Sequence, residues 1–270
     1  MLADGKKIQI EIKESIKRDV SDSRTKYCLA LLYAGENLVT NKFIEIKKKF
    51  GEDVGIQVDV FKYDECVSEE VVLKKIKDLG EDDNYGGIIV QLPLPTHLNT
   101  DTVLDSVPKH KDVDVLSKEA ITSYISRELL FEPAVVGAVR SIFEKYNISL
   151  VGKQIAVVGK GRLVGSPICN FLKRNMIRYV LIDSSTKNSN VILKNADIII
   201  TGIGKPHFIK PDMIKSGVVL MDAGTSELSG KLLGDVDPDC EKKASLLTPV
   251  PGGVGPITIA IIFKNLIDSK

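Results

Sequence analysis

The sequence predicts an α/β protein built from two domains, on the basis of its element pattern and its length. Short runs rich in β-branched residues alternate with segments of helical period along the chain, which is typical of parallel sheets with helical crossovers. The length of 270 residues corresponds to about two domains at roughly 150 residues each. We therefore expect two medium-sized domains, each containing a parallel sheet.

Seven candidate strands divide between the two halves of the chain. The first half contains YCLALLYA, IQVDVF and GGIIVQLP, and the second contains QIAVVGKG, YVLID, ADIIITGIG and VVLMDAG. Helical patterns separate the two groups, which places the boundary after KHKDVDVLS and predicts domains of residues 1–117 and 118–270. The apolar final stretch, about residues 254–270, is expected to pack back onto the first domain as a helix.

Composition excludes several classes of partner. Hydrophobic residues make up 43% of the chain, charged residues 27%, and the net charge is +1, so no strong field attracts nucleic acid or a membrane surface. No apolar run approaches the ~20 residues of a membrane span, and the start lacks the apolar core of a signal peptide. The four scattered cysteines (Cys28, Cys66, Cys169 and Cys240) indicate no metal site and no disulfide framework. We expect a small-molecule partner and a reducing, cytoplasmic location.

A glycine-rich turn opens the second half. In QIAVVGKGRLVGSP an apolar strand leads into Gly159, Gly161 and Gly165 and then into a helical pattern. Such turns let a dinucleotide pyrophosphate approach the backbone and a helix N-terminus. The spacing is one residue longer than the common fingerprint, and a plain strand-to-helix turn is the alternative. Asp183, which ends the next strand, stands where a ribose-binding carboxylate is expected and favours a bound dinucleotide.

The same region leaves the choice between two dinucleotides open. The Asp183 carboxylate favours the 2′-hydroxyl of NAD and repels the 2′-phosphate of NADP. Lys160 in the glycine turn and Ser184 and Lys187 just after Asp183 could satisfy that phosphate.

A candidate reacting group lies in the first half. Phe43, Ile46, Lys47 and Phe50 have i, i+3, i+4, i+7 spacing, which predicts that Lys47 shares a helix face with apolar residues. An ammonium on such a face has a lowered pKa and can carry protons near neutral pH. The alternative is an ordinary solvated lysine run in which Lys47 lies at the edge of the core.

Two further polar groups are expected near this lysine. Gln91 ends the strand of VQLPLP, and the carboxyl edge of a parallel sheet is the usual place for ligands. Asp112 and Asp114 lie in HKDVDV near the predicted domain junction, where a helix cap or a lysine pair is the structural alternative. A lysine, an amide and a carboxylate around one cleft suit a polar heterocyclic substrate.

These motifs together resemble those of the bifunctional methylenetetrahydrofolate dehydrogenase/methenyltetrahydrofolate cyclohydrolase family. The likeness runs nearly end to end, through DGK near the start, FIEIK (43–47), VQLPLP (90–95), KDVDV (111–115), GKGRLVGSP (159–167) and TPVPGGVGPIT (248–258). The combination of VQLPLP with TPVPGGVGPIT is far more specific than the glycine turn. The resemblance implies an α/β fold with two domains flanking a cleft, the C-terminal one a Rossmann-type parallel sheet.

The resemblance also implies roles for residues. It makes Lys47 the catalytic lysine, Gln91 its hydrogen-bonding neighbour and Asp114 the carboxylate that holds the pterin. The expected substrate contacts are Phe43, Pro251, Gly252, Gly253, Pro256 and Thr258. The expected cofactor contacts are Gly159, Lys160, Gly161, Arg162, Gly165, Asp183, Ser184, Thr201 and Gly202. The cofactor is expected to be NADP, with NAD not excluded, and the substrate a folate; the family further implies a homodimer acting in one-carbon metabolism and purine biosynthesis.

Several positions depart from the family pattern. Phe43 replaces a tyrosine and loses its hydroxyl, Lys160 and Gly161 replace an arginine and a serine, and Asp183 replaces a histidine. The loops at 115–118 and 133–136 also differ. The alternatives are a two-domain dehydrogenase of the shikimate type, which would not explain VQLPLP or TPVPGGVGP, and a folate- or nucleotide-binding protein without catalysis.

Overall fold

The computed structural model describes residues 1–23, 25–35, 38–228 and 230–269. The chain divides into two compact units, each made of one long segment and one short segment from a chain end. We call them the three-stranded unit, made of Glu11–Ala134 and Ile259–Lys270, and the five-stranded unit, made of Met1–Ile10 and Val135–Thr258.

The division falls later in the chain than the sequence predicts. The chain leaves the three-stranded unit after Ala134, whereas the predicted boundary lies at 117/118. The intervening segment stays with the three-stranded unit because Tyr124 and Phe131 pack with Val115 in one buried cluster. This contact is tertiary, so the local strand and helix patterns do not register it.

A parallel sheet forms the centre of the three-stranded unit. Its strands are β1 (Cys28–Ala34), β2 (Gln57–Tyr63) and β3 (Gly87–Val90). They lie in the order β2–β1–β3, and both pairs are parallel. Since β2 and β3 lie on opposite sides of β1, the strand order reverses between β1 and β3. Crevices for ligands form at the carboxyl ends of strands at such a reversal.

Helices connect these strands and continue beyond them. They are α1 (Gly5–Asp22), which begins in the five-stranded unit, α2 (Leu38–Val54), α3 (Glu69–Glu81), α4 (Thr100–Asp105) and α5 (Lys118–Ile125). The next helix, α6 (Ala134–Lys145), leads into the five-stranded unit. The interior on the α3 and α4 side is aliphatic, with Leu32, Ile76, Ile88 and Val103 among its buried members. Burial of these side chains, each contributing about 1.5–3 kcal/mol, holds the helices on the sheet.

The five-stranded unit repeats the same principle. Its main strands are β4 (Ile155–Val158), β5 (Tyr179–Ile182), β6 (Ile198–Thr201), β7 (Val219–Asp222) and β10 (Leu246–Leu247), in the order β10–β7–β6–β4–β5 with parallel pairing throughout. The reversal of strand order lies between β4 and β6. The carboxyl ends of these two strands therefore mark the second expected ligand crevice.

Smaller elements complete this half of the chain. They are α7 (Gly165–Arg174), α8 (Ser189–Asn195), two 3₁₀ helices (Pro211–Met213 and Pro238–Lys242), the antiparallel pair β8 (Ser226–Leu228) and β9 (Lys231–Leu233), and α9 (Val254–Asp268). The α/β class and the parallel sheet predicted for the second half are confirmed, and all seven predicted strands are present. In α9, Phe263 stacks on Phe50 with ring centroids 4.9 Å apart.

Candidate functional site

Lys47 and Gln91 form a direct hydrogen bond in the three-stranded unit. The Lys47 ammonium donates to Gln91 Oε1 at 2.6 Å, and Gln91 Nε2 donates to the carbonyl of Leu92 at 2.9 Å. Lys47 is only 7% exposed. Gln91 directly follows β3, so the pair lies at the reversal of strand order, where a ligand crevice is expected.

The buried face of α2 explains how Lys47 comes to be buried. Thr40, Ile44, Lys47 and Phe50 are all buried and recur at helical spacing. The predicted face included Ile46, and this is wrong: Ile46 is 47% exposed, because the stripe passes through Ile44 instead. Phe43, the predicted substrate contact, is half-buried at the margin of the stripe.

Burial sets the charge balance around Lys47. It lowers the pKa of the Lys47 ammonium, and the negative charge of Asp114 acts in the opposite direction. Burial likewise raises the pKa of Asp114, against which the charge of Lys47 acts. The two groups thus stabilise each other's charged forms where water is scarce, and Lys47 is able to exchange a proton at lower pH than an ordinary lysine.

The two aspartates of KDVDV have different surroundings. Asp112 is buried and accepts hydrogen bonds from the backbone N–H groups of Leu116 (2.9 Å) and Ser117 (2.7 Å), and burial raises its pKa to about 6. Lys111 is also structural, since its ammonium donates to the carbonyls that end α3. Asp114 is part-exposed, and no hydrogen bond to its carboxylate is found among the described residues. It is therefore the aspartate available to a ligand.

The backbone next to Asp114 has an unusual conformation. Val115 has a φ of 57°, in the left-handed region that β-branched residues rarely adopt. Its side chain is fully buried. Glycine adopts this conformation without strain. Here the buried contacts of Val115 hold the same turn at a cost of order 1–3 kcal/mol.

The glycine segment 248–258 packs against the start of the chain within the five-stranded unit. A Cβ atom on Gly5 would lie 1.8 Å from the carbonyl oxygen of Gly253, so only glycine fits there. Gly252 has a φ of 107°, and a Cβ atom on it would meet nothing within 4 Å. Gly252 therefore needs to be glycine for its backbone conformation and presents bare main chain.

The other predicted substrate contacts of this segment differ in their exposure and in the hydrogen bonds that they already make within the protein. Pro251 is exposed and Pro256 half-buried, with the carbonyl of Pro256 accepting a hydrogen bond from Gln9 Nε2 at 2.8 Å. The hydroxyl of Thr258 donates to the carbonyl of Gly255 at 2.7 Å. The Val250–Pro251 peptide bond is cis.

The glycine turn after β4 is shaped by close contacts with backbone and with the β6 end. Gly159 has a φ of 91°, and its Cβ atom would lie 2.4 Å from Ile203 Cγ2. A Cβ atom on Gly165 would lie 2.0 Å from the carbonyl oxygen of Gly159, and one on Gly202 would lie 2.4 Å from Val164. These glycines let the ends of β4 and β6 and the start of α7 approach one another. They meet at the predicted crevice of this unit.

The same turn has features suited to an anion. No side chain caps the N-terminus of α7. The Ser166 N–H donates to the Gly161 carbonyl at 3.0 Å and Pro167 has no N–H, so the helix offers a phosphate the Gly165 N–H and its positive dipole end. A Cβ atom on Gly161 would have no neighbour nearer than 3.8 Å, so this position has open space beside it. Lys160 and Arg162 are exposed. The residues present therefore fit a dinucleotide pyrophosphate.

Asp183 follows β5 and carries a well-ordered set of partners. Its Oδ1 accepts from the backbone N–H of Ser185 at 2.9 Å and from the Ser185 hydroxyl at 2.6 Å. Its Oδ2 accepts from Lys160 Nζ at 3.0 Å. Hydrogen bonds from Ser185, followed by the one from Lys160, hold the pKa of Asp183 well below its usual range. Ser184 is exposed beside it.

Thr201, a predicted cofactor contact, has its side chain inside the protein. Its hydroxyl is fully buried and donates to Asp235 Oδ2 at 2.8 Å, so the side chain is committed to protein. Asp235 also accepts from the backbone N–H groups of Ile203 (2.7 Å) and Lys205 (2.8 Å). This buried carboxylate fixes the loop after β6. Asp235 was not among the predicted site residues, although it lies in the acidic run GDVD.

Asp222 is a second buried carboxylate in this unit. It accepts from the backbone N–H groups of Gly224 (3.0 Å) and Val236 (2.8 Å). Burial raises its pKa to about 7.

Within the described ranges no group of three or more His, Cys, Asp and Glu side chains is placed to hold a metal ion. Nor is any described helix long and apolar enough to cross a membrane.

Family comparisons cover nearly the whole chain. Residues 3–114 match the catalytic domain of tetrahydrofolate dehydrogenase/cyclohydrolase, and residues 133–270 match the NAD(P)-binding domain of the same family. The chain is 37% identical to the bifunctional protein FolD of Nautilia profundicola, with 98% of this chain and 95% of that protein covered. It is 38% identical to the bifunctional protein FolD of Thermodesulfovibrio yellowstonii, with the same coverage.

Solved structures give the same result. The bifunctional methylenetetrahydrofolate dehydrogenase/cyclohydrolase of Campylobacter jejuni is 34% identical, with a TM-score of 0.95 over 100% of this chain and 98% of that one. The enzyme of Trypanosoma brucei, in complex with NADP and an inhibitor, is 25% identical, with a TM-score of 0.94 over 100% and 96%. These matches confirm the Rossmann-type second half and the predicted nicotinamide dinucleotide, and they disfavour the shikimate-type alternative. The chain belongs to the tetrahydrofolate dehydrogenase/cyclohydrolase family.

Proposed function

We propose that the chain oxidises 5,10-methylenetetrahydrofolate to the 5,10-methenyl form and hydrolyses that product to 10-formyltetrahydrofolate, in one-carbon metabolism. Family membership supports both activities. The observation that carries the proposal is the buried Lys47 bonded to Gln91 at 2.6 Å and coupled to the charge of Asp114. A lysine so placed serves proton transfer, which a binding protein without catalysis would not need.

The two halves of the chain take different parts in this proposal. The first, predicted as residues 1–117, binds the folate and contains the reacting lysine, and the second, predicted as 118–270, binds the dinucleotide. Asp114 accepts hydrogen bonds from the amino and amide edge of the pterin, and Phe43 stacks on its ring. Gly252 is a further proposed substrate contact, because a Cβ atom on it would meet nothing within 4 Å.

Oxidation requires alignment more than acid or base catalysis. The bound dinucleotide supplies a hydride acceptor. The cation left on the folate is stabilised by its own two nitrogen atoms, so the protein has to hold the substrate in position and exclude water. Asp114 and Phe43 do this for the pterin.

Hydrolysis requires a proton carrier. Water adds to the methenyl carbon and loses one proton, which the neutral Lys47 amine accepts. The adduct then collapses: its hydroxyl proton leaves as the formyl C=O forms, the bond from carbon to the ring nitrogen breaks, and the Lys47 ammonium protonates that nitrogen. One proton is released overall. Gln91 holds Lys47 in place through both transfers.

The cofactor contacts follow from the shape of the glycine turn. Gly159, Gly161 and Gly165 let the pyrophosphate approach the N-terminus of α7, and Gly202 lies beside them. Thr201 acts through its backbone, because its hydroxyl is bonded to Asp235. The NADP complex of the Trypanosoma brucei relative supports NADP as a cofactor, and the NAD(P)-binding family domain admits NAD as well.

Assembly as a homodimer and a cytoplasmic location complete the proposal. Strand β2 is an edge strand with β1 as its sheet neighbour among the described residues. Such an edge offers backbone groups for pairing with a second copy. The four cysteines are free thiols, in keeping with a reducing compartment.

Steady-state assay of the purified protein tests the proposal. With methylenetetrahydrofolate and either dinucleotide, we expect formation of the reduced nicotinamide, followed by decay of the methenyl absorbance. Tight folate binding without turnover would contradict the enzyme and support a binding protein.

A further inference from the structure

We propose that the ion pair of Lys160 and Asp183 makes this enzyme bind NAD more tightly than NADP. The inference rests on the proposed dehydrogenase function and concerns which dinucleotide that site prefers. Asp183 is the first residue after β5, the strand next to β4, whose end carries the glycine turn. This is the position from which a carboxylate reaches the adenosine ribose in Rossmann-type sheets.

Hydrogen bonds to Oδ1 hold the Asp183 carboxylate in place, and Oδ2 is available to accept a hydrogen bond from a ligand. Oδ1 accepts from the N–H and hydroxyl of Ser185 and from the Thr186 hydroxyl at 3.3 Å. The turn is closed by hydrogen bonds between Asp183 and Thr186, at 2.9 and 3.1 Å. Among the described residues, Lys160 at 3.0 Å is the one donor to Oδ2. A carboxylate oxygen has about two acceptor sites, so Oδ2 can accept a further hydroxyl.

The 2′-substituent decides how well each dinucleotide suits this oxygen. The 2′-hydroxyl of NAD donates a hydrogen bond to Oδ2. A phosphate monoester has a charge of about −1.5 to −2 at neutral pH and offers almost only acceptors, so it is repelled by the fixed carboxylate. The Asp183 side chain is 18% exposed and anchored, so it does not turn away.

Lys160 does not reverse this preference, although it is a cation. Its side chain is 69% exposed and mobile enough to meet a phosphate, but it would have to leave Asp183. The acid would then remain without its partner beside the phosphate. Gly161 has no side chain with which to add a donor. NADP is therefore accepted, with weaker binding than NAD.

Direct binding measurements test the proposal without relying on activity. Isothermal titration with NAD and NADP, in the absence of folate, should give the wild-type chain at least ~tenfold tighter binding of NAD, about 1.4 kcal/mol. Asp183→Asn removes the fixed charge and frees Lys160, so the ratio should move toward NADP by at least ~tenfold. Lys160→Met leaves Asp183 unneutralised, so it should weaken NADP further while NAD changes little.

A matched ion pair provides the control. Asp239 and Lys242 are joined at 2.8 Å in the same unit, outside the glycine turn, so Asp239→Asn should leave the ratio unchanged. Tighter binding of NADP than NAD by the wild type, or an unchanged ratio in Asp183→Asn, would overturn the proposal. If Asp183→Asn does not fold, Lys160→Met provides the test. NADP binding by Lys160→Met that equals or exceeds that of the wild type would then overturn the proposal. Absence of binding by both dinucleotides would contradict the dehydrogenase function as well.

Discussion

At the scale of single residues, the central feature is Lys47, which is buried because it lies on the inward face of α2. The buried stripe of α2 places Lys47 among apolar groups, and the end of β3 supplies the amide of Gln91. Its two neighbours in the sequence, Lys48 and Lys49, are not buried. Three consecutive lysines thus differ in burial because successive residues on a helix point about 100° apart.

The pKa of Lys47 is expected to depend on Asp114. Burial lowers this pKa and the Asp114 charge partly restores it, so Asp114→Asn should lower it further. The pH at which Lys47 loses its proton should then fall, which nitrogen NMR of the Lys47 amine in the free protein would measure. Because the folded-state pKa of Lys47 lies below that of an ordinary lysine, the free energy of unfolding of the wild type should rise with pH through the interval between the two pKa values. An unchanged or raised pKa in Asp114→Asn would contradict the coupling.

At the scale of elements, both predicted crevices lie at a reversal of strand order. Gln91 follows β3 beside β1, and the glycine turn follows β4 beside β6. In the second crevice, Gly159, Gly165 and Gly202 have to be glycine because a Cβ atom would clash with neighbouring atoms. A Cβ atom on Gly161 would meet no such neighbour. The start of α7 therefore depends on Gly165 more than on Gly161.

Substitution of these two glycines by alanine should separate their roles. Gly165→Ala places a Cβ atom 2.0 Å from the Gly159 carbonyl oxygen, so the backbone has to shift. The free energy of unfolding should fall by about 1–3 kcal/mol. Gly161→Ala has room and a φ outside the left-handed region, so its stability should stay within about 0.5 kcal/mol of wild type. Urea unfolding followed by circular dichroism is suitable, because the chain has no Trp. Equal effects would contradict the steric argument.

Element type was more predictable than element detail. Each of the seven predicted strands is present, because runs such as IAVV are buried on both faces and are therefore continuously apolar. Strands β8, β9 and β10 were missed because two or three residues are too few to show a period. The α2 face was assigned to Ile46 in place of Ile44, since period alone fits two adjacent stripes.

At the scale of the whole molecule, the chain ends exchange between the two units. Residues Met1–Ile10 belong with the second half, where Ala3 N donates to the Leu247 carbonyl at 2.9 Å. Residues from Ile259 onward belong with the first half, where Asn265 donates to the carbonyls of Val113 and Glu132. These contacts join residues more than 130 positions apart, so no local pattern could reveal them.

The candidate site was predictable where motif and strand end coincide. Gln91 was predicted from such a motif, whereas Lys47 was predicted from a helix pattern and Asp114 from the family resemblance; their catalytic roles stay predictions. The commitment of Thr201 to Asp235 was not predictable, because it depends on a buried hydrogen bond between β6 and a distant acidic run. The hydrogen bond from Lys160 to Asp183 was likewise not predictable from the sequence, because it depends on the positions of the two side chains.

The most direct test of the account compares Lys47→Met with Lys49→Met on the same helix. Lys47→Met should lower the cyclohydrolase rate by about 10²–10⁴, the usual contribution of a positioned acid or base, while dinucleotide binding by isothermal titration stays measurable. Lys49→Met, which changes an exposed lysine, should keep both activities. Full hydrolysis of methenyltetrahydrofolate by Lys47→Met would contradict the account.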